Sequence, residues 1–247
     1  MTPSIDARTQ MTYQQIRAWT VLTPQELQVF EQLRREDFVP EAWRGAAYGD
    51  LAIPLGQGQH MLTPTIVGGI LQAADLTPRD SVLEIGTGSG YLSACMARLA
   101  STVHSLEIRP ELARQARLNL QHAGVGNVVV EDADAFAWQP AAPAYDVIVL
   151  TGSLPVYDPR FESLLRPGGR LFVVTGKAPV MEARLVRLTA QGEREQLSLF
   201  ETVFDPLDCS RSPCAVSLTS CASITGFWPV TTNSRPPGLS SDSKRES

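Results

Sequence analysis

Three glycines at alternate positions form the most informative stretch of the sequence. In the run VLEIGTGSGY, Gly86, Gly88 and Gly90 follow an apolar segment and precede a helical pattern. Glycine lets the backbone turn tightly at the end of a buried strand, and it lets a ligand approach the backbone closely. The stretch therefore predicts a binding site for a nucleotide-like cofactor.

The spacing of these glycines indicates which cofactor the turn binds. The dinucleotide fingerprint has its third glycine three residues after the second, and here Tyr91 stands at that position. Glycines at alternate positions favour S-adenosylmethionine over NAD. A tight turn without a ligand is the alternative, and the strand and helix patterns on either side disfavour it. The predicted cofactor-binding residues of this stretch are Glu84, Gly86, Thr87, Gly88, Ser89 and Gly90.

Acidic side chains follow the next two apolar segments. Glu107 lies about 20 residues beyond the first glycine, where a carboxylate can accept hydrogen bonds from both ribose hydroxyls. We predict that Glu107 and its neighbour Ile108 bind the cofactor there. In the following segment, Asp134 and its neighbour Ala135 are predicted to contact the adenine end, with Asp134 accepting from the amino group. Asp132 is the competing candidate, and an Asx turn is the alternative role for either aspartate.

The stretch Thr151-Gly152-Ser153 follows the fourth apolar segment, YDVIVL, at the same predicted sheet edge. We predict that it lines the pocket in which the methyl group is transferred. The alternative is a role in forming the turn, because small hydroxyl residues also stabilise turns.

The elements that position these residues alternate between strands and helices from residue 81 onward. Mostly apolar runs without alternation, such as SVLEI and YDVIVL, are typical of strands buried on both faces of a parallel sheet. Two later segments, ARLVRLTAQ and EQLSLFETVF, flank Gly192 and predict an antiparallel hairpin at a sheet edge. A helix is predicted near residues 160–165 and a turn at Pro167-Gly168-Gly169. The predicted fold is α/β, a doubly wound Rossmann-like methyltransferase sheet with an N-terminal helical lead-in and a C-terminal antiparallel hairpin.

Composition limits the classes of partner. The chain has 247 residues, a formal net charge of -5 and no long Lys/Arg run, so nucleic acid and anionic membrane surfaces are disfavoured. The N-terminal residues lack a basic start followed by an apolar core, which makes a cytoplasmic location the expectation. The four cysteines have neither CxxC spacing nor a nearby histidine, so we expect no metal site and no disulfide framework.

Three segments are predicted along the chain. Residues 1–62 form a helical lead-in and substrate loop, and residues 63–207 form the methyltransferase domain. Residues 208–247 are rich in Ser, Thr and Pro without a usable period, which predicts a disordered or aberrant tail. A shifted reading frame is one hypothesis for this tail.

The sequence resembles the protein-L-isoaspartate O-methyltransferase family from about residue 14 to residue 207. The resemblance rests on four stretches, which are IPLGQGQ, VLEIGTGSGY, YDVIVLTGS and LLRPGGRLFVVTG. It implies methyl transfer to the free carboxylate of L-isoaspartyl residues in damaged proteins or peptides. That carboxylate is already ionised at neutral pH and needs no general base. Positioning beside the methyl donor would suffice, so His60, His104 and His122 are interpreted as structural or surface residues, although His60 lies in the predicted substrate loop.

One stretch departs from the family pattern. Members typically read GQTIS, then one residue and Pro, with the Ser in the active site; here residues 58–64 read GQHMLTP, so Leu62 occupies the Ser position. Leucine can neither donate nor accept a hydrogen bond. Thr63 could replace the Ser if the loop shifts, although its simpler interpretation is the N-cap of the following helix. The candidate catalytic positions are therefore Leu62, Thr63 and Thr151.

This departure leaves other functions open. The chain could methylate a different small-molecule or protein acceptor, or it could bind S-adenosylmethionine without catalysis. A nicotinamide-dependent oxidoreductase is opposed by the glycine spacing. The fold alone does not choose among these functions, and the sequence does not indicate an oligomeric state.

Overall fold

Nine strands and four helices of seven or more residues form the part of the chain that the computed structural model describes, residues 6–140 and 144–208. We label the helices α1 (Pro24–Gln32), α2 (Pro64–Ala74), α3 (Tyr91–Ala97) and α4 (Pro110–His122). The strands are β1 (Ile53–Gly56), β2 (Gln59–Met61), β3 (Ser81–Ile85), β4 (Thr102–Glu107), β5 (Val128–Asp132), β6 (Tyr145–Leu154), β7 (Leu165–Lys177), β8 (Val180–Leu188) and β9 (Arg194–Thr202).

Seven of these strands form the central sheet, in the order β5-β4-β3-β6-β7-β8-β9. Strands β3 to β7 pair in parallel, whereas β8 and β9 add an antiparallel hairpin at one edge. The predicted fold class and the predicted hairpin are therefore confirmed. The strand order reverses between β3 and β6, and such a switch point at the carboxyl ends of the strands is where doubly wound sheets bind ligands.

The apolar strands form this sheet because both of its faces are covered. Successive residues Val147 and Ile148 of β6 are both fully buried, and they belong to hydrophobic clusters on opposite faces. Since side chains alternate along a strand, a continuous apolar run is what a doubly covered sheet requires.

The lead-in packs into the same core. Short helical segments, Ala7–Gln10, Met11–Ile16 and Arg17–Trp19, precede α1. Thr23 and Glu26 form a capping box at the start of α1, since each side chain accepts the other's backbone N–H. Phe30 of α1 is fully buried in the hydrophobic cluster that also holds Val82 of β3.

Some local predictions differ from the structure. Residues 53–61, which lie within the predicted helical lead-in and substrate loop, form the antiparallel pair β1–β2, in which Gly56 and Gln57 both have positive φ. The predicted turn at residues 167–169 lies within β7 and appears there as a register irregularity next to β6. The helix predicted near residues 160–165 is a 3₁₀ helix, Pro159–Leu164. Pattern alone does not separate these short elements, because they are fixed by neighbours distant in sequence.

Residues 203–208, which we call the strap, follow β9 and lie along the end of β6. The Ser153 N–H donates to the Asp205 carbonyl (2.8 Å), and the Leu207 N–H donates to the Ser153 carbonyl (3.0 Å). Apart from Asp208, the predicted tail lies outside the described residues, as do Cys209, Cys214 and Cys221. Among the helices of the described ranges, none has the length and apolar character needed to cross a membrane.

Candidate cofactor and acceptor site

A cavity of about 320 Å³ opens at the carboxyl edge of the sheet. Its walls are the glycine turn after β3, the end of β4, the β1–β2 hairpin with the residues up to α2, and the strap. Its size is at the lower end of the range for small-molecule sites. The predicted site residues that line it are Leu62, Thr63, Glu84, Gly86, Thr87, Gly88, Ser89, Glu107, Ile108, Ala135 and Thr151.

The glycine turn needs its glycines for different reasons. All three have positive φ, at 96° for Gly86, 54° for Gly88 and 84° for Gly90, which side chains with a Cβ rarely adopt. A Cβ on Gly86 would lie 2.4 Å from the Thr151 hydroxyl oxygen. Gly90 is not among the cavity-lining residues, and a Cβ there would approach the Ala116 carbonyl of α4 at 3.3 Å. Gly90 thus serves helix packing in this structure, and its role in cofactor binding stays a prediction.

Glu107, at the end of β4, holds the turn in place. Its carboxylate accepts the Gly88 N–H (3.0 Å) and the Arg109 N–H (3.0 Å), and the residue is only 4% exposed. Carboxylate oxygens have further lone pairs, so Glu107 can still accept hydrogen bonds from a bound ligand. The position fits the ribose contact predicted from the sequence.

Glu84, at the end of β3, is fully buried, and burial raises its pKa to about 7. One carboxylate oxygen, Oε2, accepts from the hydroxyls of Ser93 and Ser105. The other, Oε1, is buried without a hydrogen-bond partner among the described residues. An unpaired buried acceptor is costly, and a ligand ammonium group in the cavity would satisfy it.

Asp134 presents a second unpaired acceptor. Its Oδ1 accepts the Phe136 N–H (2.9 Å), as in an Asx turn, while Oδ2 is buried and lacks a partner in the described part of the chain. Its neighbours Ala133 and Ala135 line the cavity, although Asp134 itself does not. The turn-forming alternative is therefore present, and the free Oδ2 leaves room for the predicted adenine contact. The competing candidate, Asp132, is exposed.

Hydroxyl groups near the acceptor end are already engaged. Thr63 caps α2, with its Oγ1 accepting the Ile66 N–H (3.4 Å). The Thr151 Oγ1 lies within hydrogen-bonding distance of the carbonyl of Ile85 (2.9 Å) and of the Gly86 carbonyl. Both residues thus have structural roles beside the cavity, and their predicted catalytic roles stay predictions.

Arg35 was missed by the sequence reasoning. Its guanidinium is fully buried, donates to the carbonyls of Ala47 (2.8 Å) and Leu62 (2.7 Å), and lies 4.9 Å from the centre of the Tyr91 ring. Burial lowers its pKa. A single side chain thus ties the lead-in to the residue at the family's Ser position and to the first turn of α3. Arg35 stands in the charged run RRED, and nothing in that run distinguishes it from the neighbouring Arg34.

A polar pair joins the hairpin to the strap. Asp205 accepts the backbone N–H of His60 (2.8 Å), and its Oδ2 lies 3.1 Å from the His60 Nδ1. Both residues line the cavity. They are separated by 145 positions in the chain, so neither could be assigned to the other from sequence.

The sequence matches one protein family over most of its length. The family model described as Protein-L-isoaspartate(D-aspartate) O-methyltransferase matches residues 7–211. The chain belongs to the protein-L-isoaspartate O-methyltransferase family. A relative of that name from Marinobacter nauticus is 40% identical over 182 residues, covering 73% of this chain and 83% of the relative. Another, from Synechococcus sp., is 37% identical over 200 residues, covering 81% and 80%.

A solved structure shares the family's fold. A β-aspartate methyltransferase from Plasmodium falciparum, in complex with S-adenosyl-L-homocysteine, superimposes with a TM-score of 0.72 at 16% identity, covering 83% of this chain and 99% of that one. At that identity the likeness concerns the fold alone. Family membership confirms the predicted S-adenosylmethionine-dependent methyltransferase, and the nicotinamide-dependent alternative is wrong.

The residues of the cavity fit the family's cofactor. Two of the buried oxygens that lack partners among the described residues, Glu84 Oε1 and Asp134 Oδ2, suit donors such as an ammonium and an adenine amino group. The cavity lining also includes the backbone of Gly88 and the carboxylate of Glu107. S-adenosylmethionine supplies an electrophilic methyl group when bound at this site.

Removing the carboxylate of Glu107 should weaken cofactor binding. We expect Glu107→Ala to weaken the binding free energy of S-adenosylmethionine by about 1.5 to 3 kcal/mol, because a charged hydrogen-bond acceptor for the ribose is lost. The more conservative Glu107→Gln, which keeps the side-chain size, should show a smaller loss in the same calorimetric titration. Glu131→Gln is the matched control, since Glu131 pairs with His104 (2.9 Å) outside the cavity lining. Equal affinity of all three variants and the wild type would disprove the assignment.

Proposed function

We propose that this protein methylates the free carboxylate of L-isoaspartyl residues in damaged proteins or peptides, with S-adenosylmethionine as methyl donor. The observation that carries the proposal is a shared cavity. The glycine turn and the hairpin bearing the family's GQ stretch both line this cavity. A methyl donor bound by the turn would therefore meet an acceptor bound by the hairpin.

The main requirement for catalysis at this site is that the methyl donor and the acceptor carboxylate are correctly positioned. S-adenosylmethionine held beside the glycine turn and Glu107 would supply its methyl group to an acceptor carboxylate that is already ionised, so no residue of this chain would have to transfer a proton. Leu55, Leu62 and Ile66 supply apolar surface to the cavity, which limits competing water near the reacting atoms. Alignment of the reactants accounts for the catalysis that such a site can provide.

A methyltransferase for a different acceptor is the second candidate, and Leu62 is the observation that favours it. The Leu62 side chain is partly buried against the core and lines the cavity where family members have a serine hydroxyl. This apolar surface would suit a less polar acceptor.

Several expectations from the sequence stay predictions. They are the cytoplasmic location, the absence of nucleic-acid and membrane partners, the domain limits and the individual site residues.

The test is methyl transfer from labelled S-adenosylmethionine to an isoaspartyl peptide, with the matching aspartyl peptide as control. Cofactor binding is measured by calorimetry on the same preparation. Selective labelling of the isoaspartyl peptide would support the proposal. Cofactor binding without labelling of either peptide would contradict it and favour another acceptor.

A further inference from the structure

The cavity contains an excess of negative charge for a site that receives an anion. Among the described residues, its lining carries four carboxylates, from Glu84, Glu107, Asp205 and Asp208. Of the described residues that line the cavity, only Arg109 and His60 can contribute positive charge, and Arg109 lies 3.5 Å from Asp208. An acceptor carboxylate entering from the hairpin side therefore needs a partner there, because like charges at close range are unfavourable.

The other polar side chains on the hairpin side of the cavity already make hydrogen bonds within the protein. Thr63 caps α2, and the Gln59 amide donates to the Gly58 carbonyl (3.2 Å). Leu62 has no polar group. His60 differs from these, because Asp205 engages only one of its ring nitrogens, and within residues 6–140 and 144–208 no hydrogen bond involves Nε2.

Asp205 also fixes how the imidazole can act. An ionised carboxylate only accepts hydrogen bonds, so the Nδ1 atom facing Asp205 at 3.1 Å must carry a proton. When both ring nitrogens carry protons, Nε2 donates as well. A carboxylate bound by Nε2–H would complete a charge-assisted hydrogen bond.

We propose that His60, oriented by Asp205, is the specificity-determining residue that binds the acceptor carboxylate in this protein. The inference rests on the proposed function, since it assigns the recognition of the same acceptor. Because Leu62 stands where family members have a serine, no hydroxyl is available at that position to bind the acceptor. His60 would supply the hydrogen bond instead. His60 is 43% exposed at its side chain and lies on the hairpin, which suits a group that meets an incoming peptide.

The test compares binding of two peptides to protein saturated with S-adenosyl-L-homocysteine. One peptide carries isoaspartate, and the other carries the corresponding amide, which has the same shape without the charge. We expect wild-type protein to prefer the isoaspartyl peptide by about tenfold, and His60→Gln to lose this preference. In turnover assays, His60→Gln should raise KM for the isoaspartyl peptide by about the same factor, with the Kd for S-adenosylmethionine unchanged.

Two further variants separate recognition from structure. Asp205→Asn should also reduce the preference, because it removes the negatively charged acceptor that orients the imidazole. Gln57→Asn is the matched control on the same hairpin, since Gln57 contacts Glu111 (3.0 Å) outside the cavity lining and asparagine tolerates its positive φ. It should leave both the preference and KM unchanged.

The outcomes distinguish this inference from the proposed function. An equal preference in wild type and His60→Gln, or no preference in wild type, would overturn the role of His60. Charge-dependent peptide binding that His60→Gln abolishes, without any methyl transfer by wild type, would uphold the recognition role and overturn the proposed function. If wild type binds neither peptide, both proposals fail.

Discussion

Replacing Gly88 with valine should abolish binding of S-adenosylmethionine while the domain stays folded. Gly88 has a φ of 54° and lines the cavity, and its N–H is held by Glu107. A β-branched side chain in this left-handed conformation costs about 1 to 2 kcal/mol, and its bulk would occupy the space through which the cofactor reaches the backbone. A Cβ alone would already lie 3.2 Å from the Leu55 side chain. We expect the Kd to rise more than about 100-fold in calorimetry, equivalent to over about 2.7 kcal/mol.

Gly124→Val is the matched control for this substitution. Gly124 has a similar φ of 65°, a Cβ there would meet nothing within 4 Å, and the residue lies outside the cavity lining. The backbone cost should therefore be comparable, whereas cofactor affinity should not change. If both variants lost affinity to the same extent, the effect of Gly88→Val would reflect general destabilisation and not a blocked cofactor site.

Glu84 should make the stability of the ligand-free protein fall as the pH rises. Burial raises its pKa from 4.5 to about 7, so the folded state binds the proton more tightly than the unfolded state does. Between these two values the folded state carries more protons, and the free energy of unfolding decreases with increasing pH. Above pH 7 the free energy of unfolding has decreased by the full amount, on the order of 3 kcal/mol.

The variant Glu84→Gln isolates this contribution, because an amide does not ionise. We expect the stability of Glu84→Gln relative to wild type to increase between pH 5 and pH 8 by a few kcal/mol, as measured by denaturant unfolding. The same variant should bind S-adenosylmethionine more weakly, because the neutral glutamine amide attracts the ligand ammonium group less than the carboxylate does. Parallel stability profiles for the two proteins would show that Glu84 does not titrate in this range.

The sequence predicted the elements whose pattern is local. The apolar runs of β3 and β6 and the glycine turn follow from neighbours a few residues apart. Glu107 was found because strand and turn lengths fix its distance from the first glycine. The cavity wall at Leu62 followed from the family resemblance, which no local rule would have supplied.

Contacts between distant segments explain what the sequence did not reveal. Arg35 reaches the Leu62 carbonyl across 27 positions, and Asp205 reaches His60 across 145. Such pairs depend on how the lead-in and the strap fold back over the sheet. The amino-acid composition does not predict these contacts. The same applies to Asp134, whose local turn could be predicted, whereas the burial of its second oxygen could not.

The contact between hairpin and strap also bears on the order of folding. Bringing together segments 145 positions apart carries a larger loop-closure entropy than pairing neighbouring strands. A folding intermediate with only the central strands and the glycine turn would therefore have secondary structure without an enclosed cavity. In refolding experiments, we expect S-adenosylmethionine binding to recover later than the far-ultraviolet circular dichroism signal, and simultaneous recovery would contradict this order. Binding competence would then report completion of the whole domain, whereas secondary structure would report only its centre.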